Sequence, residues 1–272
     1  MSDPIITSVR NPRVQAAAAL RERRERTRQG RILVDGAREI GRVLDAGVTF
    51  IEAFVCHELL SSEPAHALLR RLKAAGVPMV SAAPRVFEKL AYGERAEGIV
   101  GVALTPQASL DRLTLPACPL IAVLEGCEKP GNLGAVLRSA DATGVSALLV
   151  ADSRTDLFNP NVIRASVGTI FCVPTAAASA REVRDFLRGR GISIVAARVD
   201  AKTDYTAADF TRPTAIVLGS EADGLSDAWR GDDVIGIRLP MRGTADSLNV
   251  SAAAAVLLYE ALRQRSPCQS LP

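Results

Sequence analysis

Three polar segments that contain glycine could carry chemistry in this chain. Each of them follows an apolar run with the composition of a buried strand. The strands of a parallel sheet end at a common edge, and open α/β folds bind their ligands at that edge. Loops of this kind can therefore build one pocket from distant parts of a sequence. The segments are residues 125–144, 216–225 and 237–251.

The first segment has the glycine spacing of a phosphate-binding loop. Gly126 and Gly131 are placed as in a Walker A loop, but Asn132 and Leu133 stand where Lys and Ser or Thr must contact the phosphates and Mg²⁺. The segment also lacks the G-x-G-x-x-G pattern of dinucleotide-binding folds. The chemistry excludes an NTPase and disfavours dinucleotide binding, which leaves a tight turn capped by Asn132 as the simplest interpretation.

Arg138 adds a permanent cation to this segment. It lies six residues after Asn132 on the helix predicted to begin there, within about two turns of the same edge. A guanidinium can bind a phosphate or polarise a hydroxyl, although a helical arginine more often forms an ordinary surface salt bridge.

In the other two segments, Glu221 could cap a turn, and Ser247 and Asn249 have the residue types of helix N-caps. The residue types alone leave both interpretations open.

The composition predicts an α/β protein without a membrane or metal partner. The 272 residues are 48% hydrophobic but only 4% aromatic, as in parallel sheets covered by helices. No apolar run approaches the ~20 residues of a membrane-spanning helix, and the start lacks the pattern of a signal peptide, so we expect a cytoplasmic protein. The five cysteines form no C-x-x-C pair and there are two histidines, which predicts reduced thiols and no metal site.

Positive charge is concentrated at the start of the chain. The first 30 residues contain seven arginines against three acidic residues, a net charge of +4, compared with +3 for the whole chain. Such a surface is either simply solvated or binds phosphates, and the planar guanidinium slightly favours phosphate. The candidate phosphate-contacting residues in this region are Arg10, Arg21, Arg24 and Arg28.

Alternating apolar patterns predict two α/β units, with residues 1–105 and 118–272 separated by a linker at 106–117 that loses periodicity. In the first unit we predict helices at Val14–Arg28, Ala37–Ala46 and Ala65–Ala75, and a fourth that is opened by Ser81–Pro84 and runs to about Leu90. The strands predicted there are Ile32–Val34, Phe50–Cys56, Pro78–Val80 and Ile99–Leu104. In the second we predict strands at Leu120–Leu124, Ala147–Ala151, Phe171–Pro174, Ile192–Ala197, Ala215–Leu218 and Val234–Leu239, and helices at Leu133–Ala142, Pro160–Val167, Ala180–Arg188 and Leu248–Gln264.

The three polar segments together resemble the three sequence motifs of the SpoU (TrmH-type) RNA 2′-O-methyltransferases. Residues 159–168 are similar to the family segment between the first two motifs, and Ile6–Pro12 resembles the opening of the longer subgroup. The resemblance extends over residues 118–266 for the catalytic domain and 30–105 for a small L30e-type RNA-binding domain. Residues 244–246 depart from the commoner serine-rich sequence before the third motif.

This resemblance implies a fold and an assembly that periodicity could not provide. The implied fold is α/β, with a C-terminal, mostly parallel, helix-covered sheet tied in a deep trefoil knot of the SPOUT type, preceded by the smaller α/β L30e-like domain. The implied assembly is a homodimer formed through the knotted domain.

The implied activity is methyl transfer from S-adenosylmethionine to a ribose 2′-OH of structured RNA. The separate front domain favours 23S ribosomal RNA. The alternatives are a tRNA 2′-O-methyltransferase and a non-catalytic RNA-binding protein with the same fold. In either enzyme no metal is required, because the methyl group is displaced directly.

The resemblance also assigns roles to individual residues. Arg138 would activate the ribose hydroxyl, and because a guanidinium stays protonated we expect it to act together with a substrate phosphate. The implied catalytic residues are Asn132, Arg138, Glu221, Ser247 and Asn249. The implied contacts to S-adenosylmethionine are Leu218, Gly219, Glu221, Ile237, Leu239, Met241, Ser247, Leu248 and Asn249. The candidate RNA contacts are Arg10, Arg21, Arg24, Arg28 and Arg164.

Overall fold

The computed structural model describes residues 4–91, 97–220 and 223–266, which form two compact units. The first unit comprises Met1–Pro106 and Phe158–Cys172, and the second comprises Gln107–Leu157 and Val173–Pro272. None of the helices described is both long and apolar enough to cross a membrane.

A four-stranded sheet forms the centre of the first unit. Its strand order is β1-β4-β2-β3, with β4 antiparallel to both neighbours and β2 parallel to β3. Buried aliphatic and phenylalanine side chains from the strands and helices form its core. The elements are α1 (Pro12–Ala19), α2 (Arg23–Gln29), β1 (Arg31–Asp35), α3 (Ala37–Asp45), β2 (Phe50–Val55), α4 (Glu63–Ala74), β3 (Met79–Ser81), α5 (Pro84–Leu90) and β4 (Ile99–Leu104).

The single helix predicted at Val14–Arg28 is wrong, because the structure has two helices there. Asn11 caps α1 through its side chain, as its position before Pro12 suggests. The break depends on Arg26, which is buried and whose Nη1 donates to the carbonyl oxygens of Leu20 and Arg21, each at 2.7 Å. These carbonyls lie just beyond the end of α1, where helical partners are missing.

The second unit contains a seven-stranded sheet whose described pairings are all parallel. Its strand order is β7-β6-β5-β10-β8-β11-β9. The elements are β5 (Leu120–Glu125), α6 (Pro130–Ala142), β6 (Ala147–Ala151), β7 (Thr175–Ala178), α8 (Ala180–Arg188), β8 (Ser193–Ala197), β9 (Thr203–Asp204), β10 (Thr214–Leu218), β11 (Val234–Arg238) and α9 (Val250–Arg265), and α7 (Pro160–Ala165) belongs to the first unit.

The central strands of this sheet are apolar because both faces are covered. Every residue of β5, β6 and β10 is buried, and apart from Glu125 and Thr214 at strand ends all of these side chains are aliphatic. The parallel arrangement brings the loops after β5, β8, β10 and β11 to one edge. The predicted α/β fold with a mostly parallel, helix-covered sheet is therefore confirmed.

The strand predicted at Phe171–Pro174 is wrong. A 3₁₀ turn at Thr169–Phe171 occupies this place, and the strand β7 begins only at Thr175. The turn is set by consecutive positive φ angles at Val167 (54°) and Gly168 (80°). This backbone conformation cannot extend into a strand, although the side chains are apolar enough for one.

Residues 158–172 pack with the first unit. Arg42 donates through Nη1 to the carbonyl of Val167, and Arg164 pairs with the buried carboxylate of Asp35 at 3.7 Å. The sequence-based domain limits of 1–105, 106–117 and 118–272 place residues 158–172 in the second domain, whereas the contacts within the structure group them with the first unit. As limits of functional domains, the three ranges stay a prediction.

Candidate functional site

An open cavity of about 490 Å³ lies at the carboxyl edge of the parallel sheet. Its volume falls within the roughly 300–1,000 Å³ typical of small-molecule sites. A smaller cavity of about 90 Å³ adjoins it and shares Gly219, Ser220 and Val250. The walls come from the segments after β5, β8, β10 and β11 and from the start of α9. Loops from all three polar segments of the sequence thus meet at one place.

The loop after β10 is closed by two backbone hydrogen bonds between Ser220 and Gly224, of 3.2 and 3.1 Å. This closure requires glycine at position 219, since a Cβ there would lie 2.1 Å from the carbonyl carbon of Gly224. Glu221 lies outside the described residues, so its predicted catalytic and cofactor-binding roles stay predictions.

Asn132 and Asn249 join the first and third segments. Asn132 lies in the first turn of α6 and Asn249 is the N-cap of α9. The Asn249 Oδ1 atom accepts from the Ser251 backbone N–H at 2.9 Å and from the Ser251 hydroxyl at 2.6 Å. Its Nδ2 atom donates to Asn132 Oδ1 at 3.3 Å. The N-cap interpretation and the site interpretation of Asn249 are therefore compatible.

Arg138 is exposed on α6. Its guanidinium makes no hydrogen bond or ion pair with the residues that the structure describes. The residue lines neither cavity. Arg138 can therefore contact a large ligand that approaches from outside the cavities.

Most of the predicted cofactor-binding residues lie on the large cavity. Ile237 is an exception, because it is completely buried within β11 and lines neither cavity. Asn249 also lines neither cavity but contacts Asn132, which lines the smaller one. The predicted residues that line the large cavity are Leu218, Gly219, Leu239, Met241, Ser247 and Leu248.

The predicted RNA-contacting arginines fall into two groups. Arg10 and Arg24 are exposed, and within the described chain their guanidinium groups have neither a hydrogen bond nor an ion pair. Arg28 pairs with Glu25 at 2.6 Å, Arg21 donates to the backbone carbonyl of residue 91, and Arg164 pairs with Asp35 as described above. Three of the five are thus partly committed to structural contacts.

The sequence analysis missed Glu125, which ends β5 and lines the smaller cavity. Glu125 is buried, with 6% of its surface exposed, and accepts from the backbone N–H of Ser226 at 2.8 Å and from the Ser226 hydroxyl at 2.6 Å. This pair ties the chain that follows the β10 loop to the neighbouring strand. An acidic residue that ends an otherwise apolar strand is the signal that could have identified it.

The charged residues Arg198, Asp200 and Arg230 were also missed and line the large cavity. They follow β8 and the β10 loop, outside the three segments that stood out in the sequence. Within residues 4–91, 97–220 and 223–266, no three His, Cys, Asp or Glu side chains form a cluster that could hold a metal ion.

The fold and the cavity define an α/β protein with a small-molecule site at the edge of a parallel sheet. Comparison with known proteins identifies the family within this class. Residues 119–259 match the SpoU rRNA Methylase family, and residues 11–101 match the MRM3-like substrate binding domain. The chain belongs to the SpoU rRNA Methylase family, which confirms the resemblance of its three motifs.

Relatives match over nearly the full length. The 23S rRNA (uridine(2479)-2′-O)-methyltransferase of Streptomyces viridochromogenes is 36% identical over 96% of this chain and 92% of its own. A crystal structure of an RNA 2′-O ribose methyltransferase is 42% identical, with a TM-score of 0.83 over 96% of this chain and 99% of that chain. The SpoU methyltransferase AviRb of Streptomyces viridochromogenes, in complex with AdoMet, is 33% identical, with a TM-score of 0.85 over 94% and 98% of the two chains.

Proposed function

We propose that this protein transfers a methyl group from S-adenosylmethionine to a ribose 2′-hydroxyl of 23S ribosomal RNA. The observation that carries the proposal is the contact between Asn132 and Asn249, which joins two distant motifs beside the large cavity. The 23S rRNA specificity of the full-length relative supports the choice of substrate.

The residues of the large cavity fit S-adenosylmethionine. Leu218, Leu239, Met241 and Leu248 offer an apolar wall for an adenine ring, and polar groups surround it. The glycine at position 219 lets the backbone of Gly224 close against the strand end, which shapes the loop on the cavity wall. When bound, the sulfonium group supplies an electrophilic methyl that is transferred in one displacement.

The chain's own groups would orient the nucleophile and stabilise its charge. The amide pair of Asn132 and Asn249 holds the starts of α6 and α9 together and presents polar atoms near the smaller cavity. Arg138 would bind a phosphate of the RNA, and its positive charge would lower the cost of the alkoxide that forms. The 2′-hydroxyl proton would pass to that phosphate, because the guanidinium stays protonated and cannot accept it.

The first unit would bind the RNA. Its match to the MRM3-like substrate binding domain supports this role, and we propose that it has the L30e-like fold. The exposed guanidinium groups of Arg10 and Arg24 provide phosphate contacts, and Arg23, which the sequence analysis did not select, is exposed in the same way. A ribosomal RNA substrate supports the proposal that the protein acts in the cytoplasm.

We further propose a trefoil knot and a homodimer in the second unit. The knot is supported by the position of α9, which follows β11 near one side of the sheet yet packs against α6 and the central strands β5 and β10. The homodimer is supported by two exposed apolar side chains on α9, Val256 (39% exposed) and Tyr259 (52% exposed).

The proposal can be tested with purified protein and isotope-labelled S-adenosylmethionine. Ribosomal subunits and tRNA from cells that lack the gene serve as substrates, and the methylated ribose is mapped by its resistance to alkaline hydrolysis. We expect label in 23S rRNA. Label only in tRNA would instead establish the tRNA enzyme. Calorimetric binding of RNA without binding of S-adenosylmethionine would establish a non-catalytic RNA-binding protein.

A further inference from the structure

A charged cluster on the wall of the large cavity has no role in the function proposed above. Arg198 donates from Nε and Nη2 to the two oxygens of Asp200, each at 2.8 Å, and Arg230 donates from Nη2 to Asp200 Oδ2 at 3.4 Å. The Arg198 side chain is only 12% exposed, whereas the Asp200 side chain is 53% exposed and lines the cavity. The carboxylate is therefore anchored on one side and accessible on the other.

Asp200 is an acceptor at every physiological pH. The hydrogen bonds from Arg198, followed by the charges of Arg198 and Arg230, lower its pKa to about 2. An ionised carboxylate offers about four lone-pair positions. Arg198 occupies two of these positions at 2.8 Å, and the third donor, Arg230, is distant at 3.4 Å. Two positions on the accessible side can therefore receive hydrogen bonds from a ligand once the long Arg230 bond gives way.

The charge balance around Asp200 favours a neutral donor. Arg230 also pairs through Nε with Asp227 at 2.9 Å, so the two guanidinium groups and two carboxylates of the cluster sum to zero charge. A ligand ammonium would meet the two guanidinium groups at short range and gain little. Hydroxyl groups avoid this repulsion, and two adjacent hydroxyls can share one carboxylate.

The position of Asp200 in the fold fits a ribose. It follows the carboxyl end of β8, and α/β folds that bind dinucleotides use an acidic residue for the ribose 2′-hydroxyl. Beside it, Val199 is 75% exposed and lines the same cavity, which provides an apolar surface next to the carboxylate. Within an RNA chain the 3′-oxygen is esterified, so a vicinal diol distinguishes the methyl donor from the internal nucleotides of the substrate.

We propose that Asp200 accepts hydrogen bonds from the 2′- and 3′-hydroxyls of the S-adenosylmethionine ribose and selects ribose over deoxyribose donors. This inference rests on the proposed function, because it requires the donor to occupy the large cavity. Asp200 is then a specificity-determining residue, and Arg198 and Arg230 are positioning residues that hold it.

Calorimetry tests the inference without turnover. The probes are S-adenosylhomocysteine and its 2′-deoxy and 3′-deoxy forms, titrated into the wild type, Asp200→Asn and Asp200→Ala. For the wild type we expect each lost hydroxyl to weaken binding about tenfold or more. In the Asp200 variants the ribose probe should bind about tenfold or more weakly, and the gap between ribose and deoxyribose probes should shrink to about twofold.

Two controls show whether a loss of affinity comes from the missing contact to the ligand. The first tests the loss of a negative charge elsewhere, and the second tests whether each variant is folded. Asp204→Asn removes an exposed carboxylate that pairs with Arg238 at 2.8 Å and lies outside the cavity, and it should leave all affinities unchanged. If Asp200→Ala unfolds because Arg198 loses its partner, Asp200→Asn still offers an oxygen to Arg198 and carries the test. Thermal unfolding of each variant decides which one is used.

A fourth variant distinguishes failure of this inference from failure of the proposed function. Leu248→Trp places an indole on the cavity wall, where Leu248 is 41% exposed, and should abolish binding of every probe. Normal binding by this variant would overturn both the donor site and the role of Asp200. Loss of binding by Leu248→Trp combined with full ribose discrimination by Asp200→Asn would overturn the role of Asp200 alone.

Discussion

Arg138 presents a permanent positive charge that no described residue neutralises. Replacing Arg138 with alanine should lower kcat by roughly 100- to 1,000-fold, because the proposed mechanism loses the cation that binds the RNA phosphate and stabilises the alkoxide. Affinity for S-adenosylhomocysteine should stay within about twofold, since the residue lines neither cavity. Single-turnover methylation and calorimetry measure the two effects.

Arg181→Ala is a suitable control for Arg138→Ala, because its exposed side chain lies on α8 and lines neither cavity. It should leave kcat unchanged. Wild-type methylation by a folded Arg138→Ala protein would refute the role of Arg138.

Glu125 is a buried carboxylate with two hydrogen bonds to Ser226. We expect Glu125→Gln to lower the free energy of unfolding by about 1–3 kcal/mol, because the amide cannot accept both hydrogen bonds as the carboxylate does. Urea denaturation measures the change. Glu128→Gln, at an exposed ion pair with Arg154, should change stability by less than about 1 kcal/mol. Equal effects of the two substitutions would contradict the structural role of Glu125.

At the scale of the elements, the break between α1 and α2 gives different roles to Arg24 and Arg26, which the sequence does not distinguish. Arg26 is buried and Arg24 is exposed. Arg26→Met should lower the free energy of unfolding by about 1–3 kcal/mol, because the buried carbonyls of Leu20 and Arg21 lose their donor. Arg24→Met should leave stability unchanged and weaken RNA binding instead. Chemical denaturation and filter binding at constant salt concentration test both expectations, and an unchanged stability of Arg26→Met would show that the break has another cause.

The last turns of α9 contain a carboxyl group that links stability to pH. Hydrogen bonds from Arg263, and then from Gln264, lower the pKa of Glu260 from 4.5 to about 2. Because this pKa is lowered in the folded state, Glu260 stabilises the protein above pH 4.5, and that contribution is lost as the pH falls toward 2. Glu260→Gln should therefore lose stability relative to the wild type at pH 7, with the difference shrinking by pH 3. Urea midpoints across this range measure it, and a constant difference would contradict the assignment.

How much the sequence predicts also depends on scale. Apolar periodicity identifies most strands and helices of both units because it is a local property, but it fails at Val14–Arg28 and Phe171–Pro174. Motif spacing selects the loops that meet at the large cavity. Arg26 and Asp200 could not be predicted, since a buried arginine and a cavity-lining aspartate have the same local sequence character as solvated ones. The grouping of residues 158–172 with the first unit depends on contacts such as Arg42 to Val167, between positions far apart in the chain.

At the scale of the whole molecule, the proposed homodimer predicts a defined effect of charge on α9. Val256→Glu and Tyr259→Glu should each shift the molar mass in light scattering from two chains to one, because a buried carboxylate in an apolar interface is costly. Leu104→Glu is a matched control: Leu104 is 43% exposed in the first unit and its replacement should leave the mass unchanged. A wild-type protein that is monomeric at micromolar concentration would refute the homodimer.

The hydrogen bond between Asn132 and Asn249 has a consequence for biosynthesis. Asn132 lies near the middle of the chain, and Asn249, 117 residues later, caps the last helix that the structure describes. A nascent chain cannot assemble the pocket until α9 has left the ribosome. We therefore expect the pocket to form only after α9 has been synthesised, and a chain truncated before Asn249 should not bind S-adenosylmethionine.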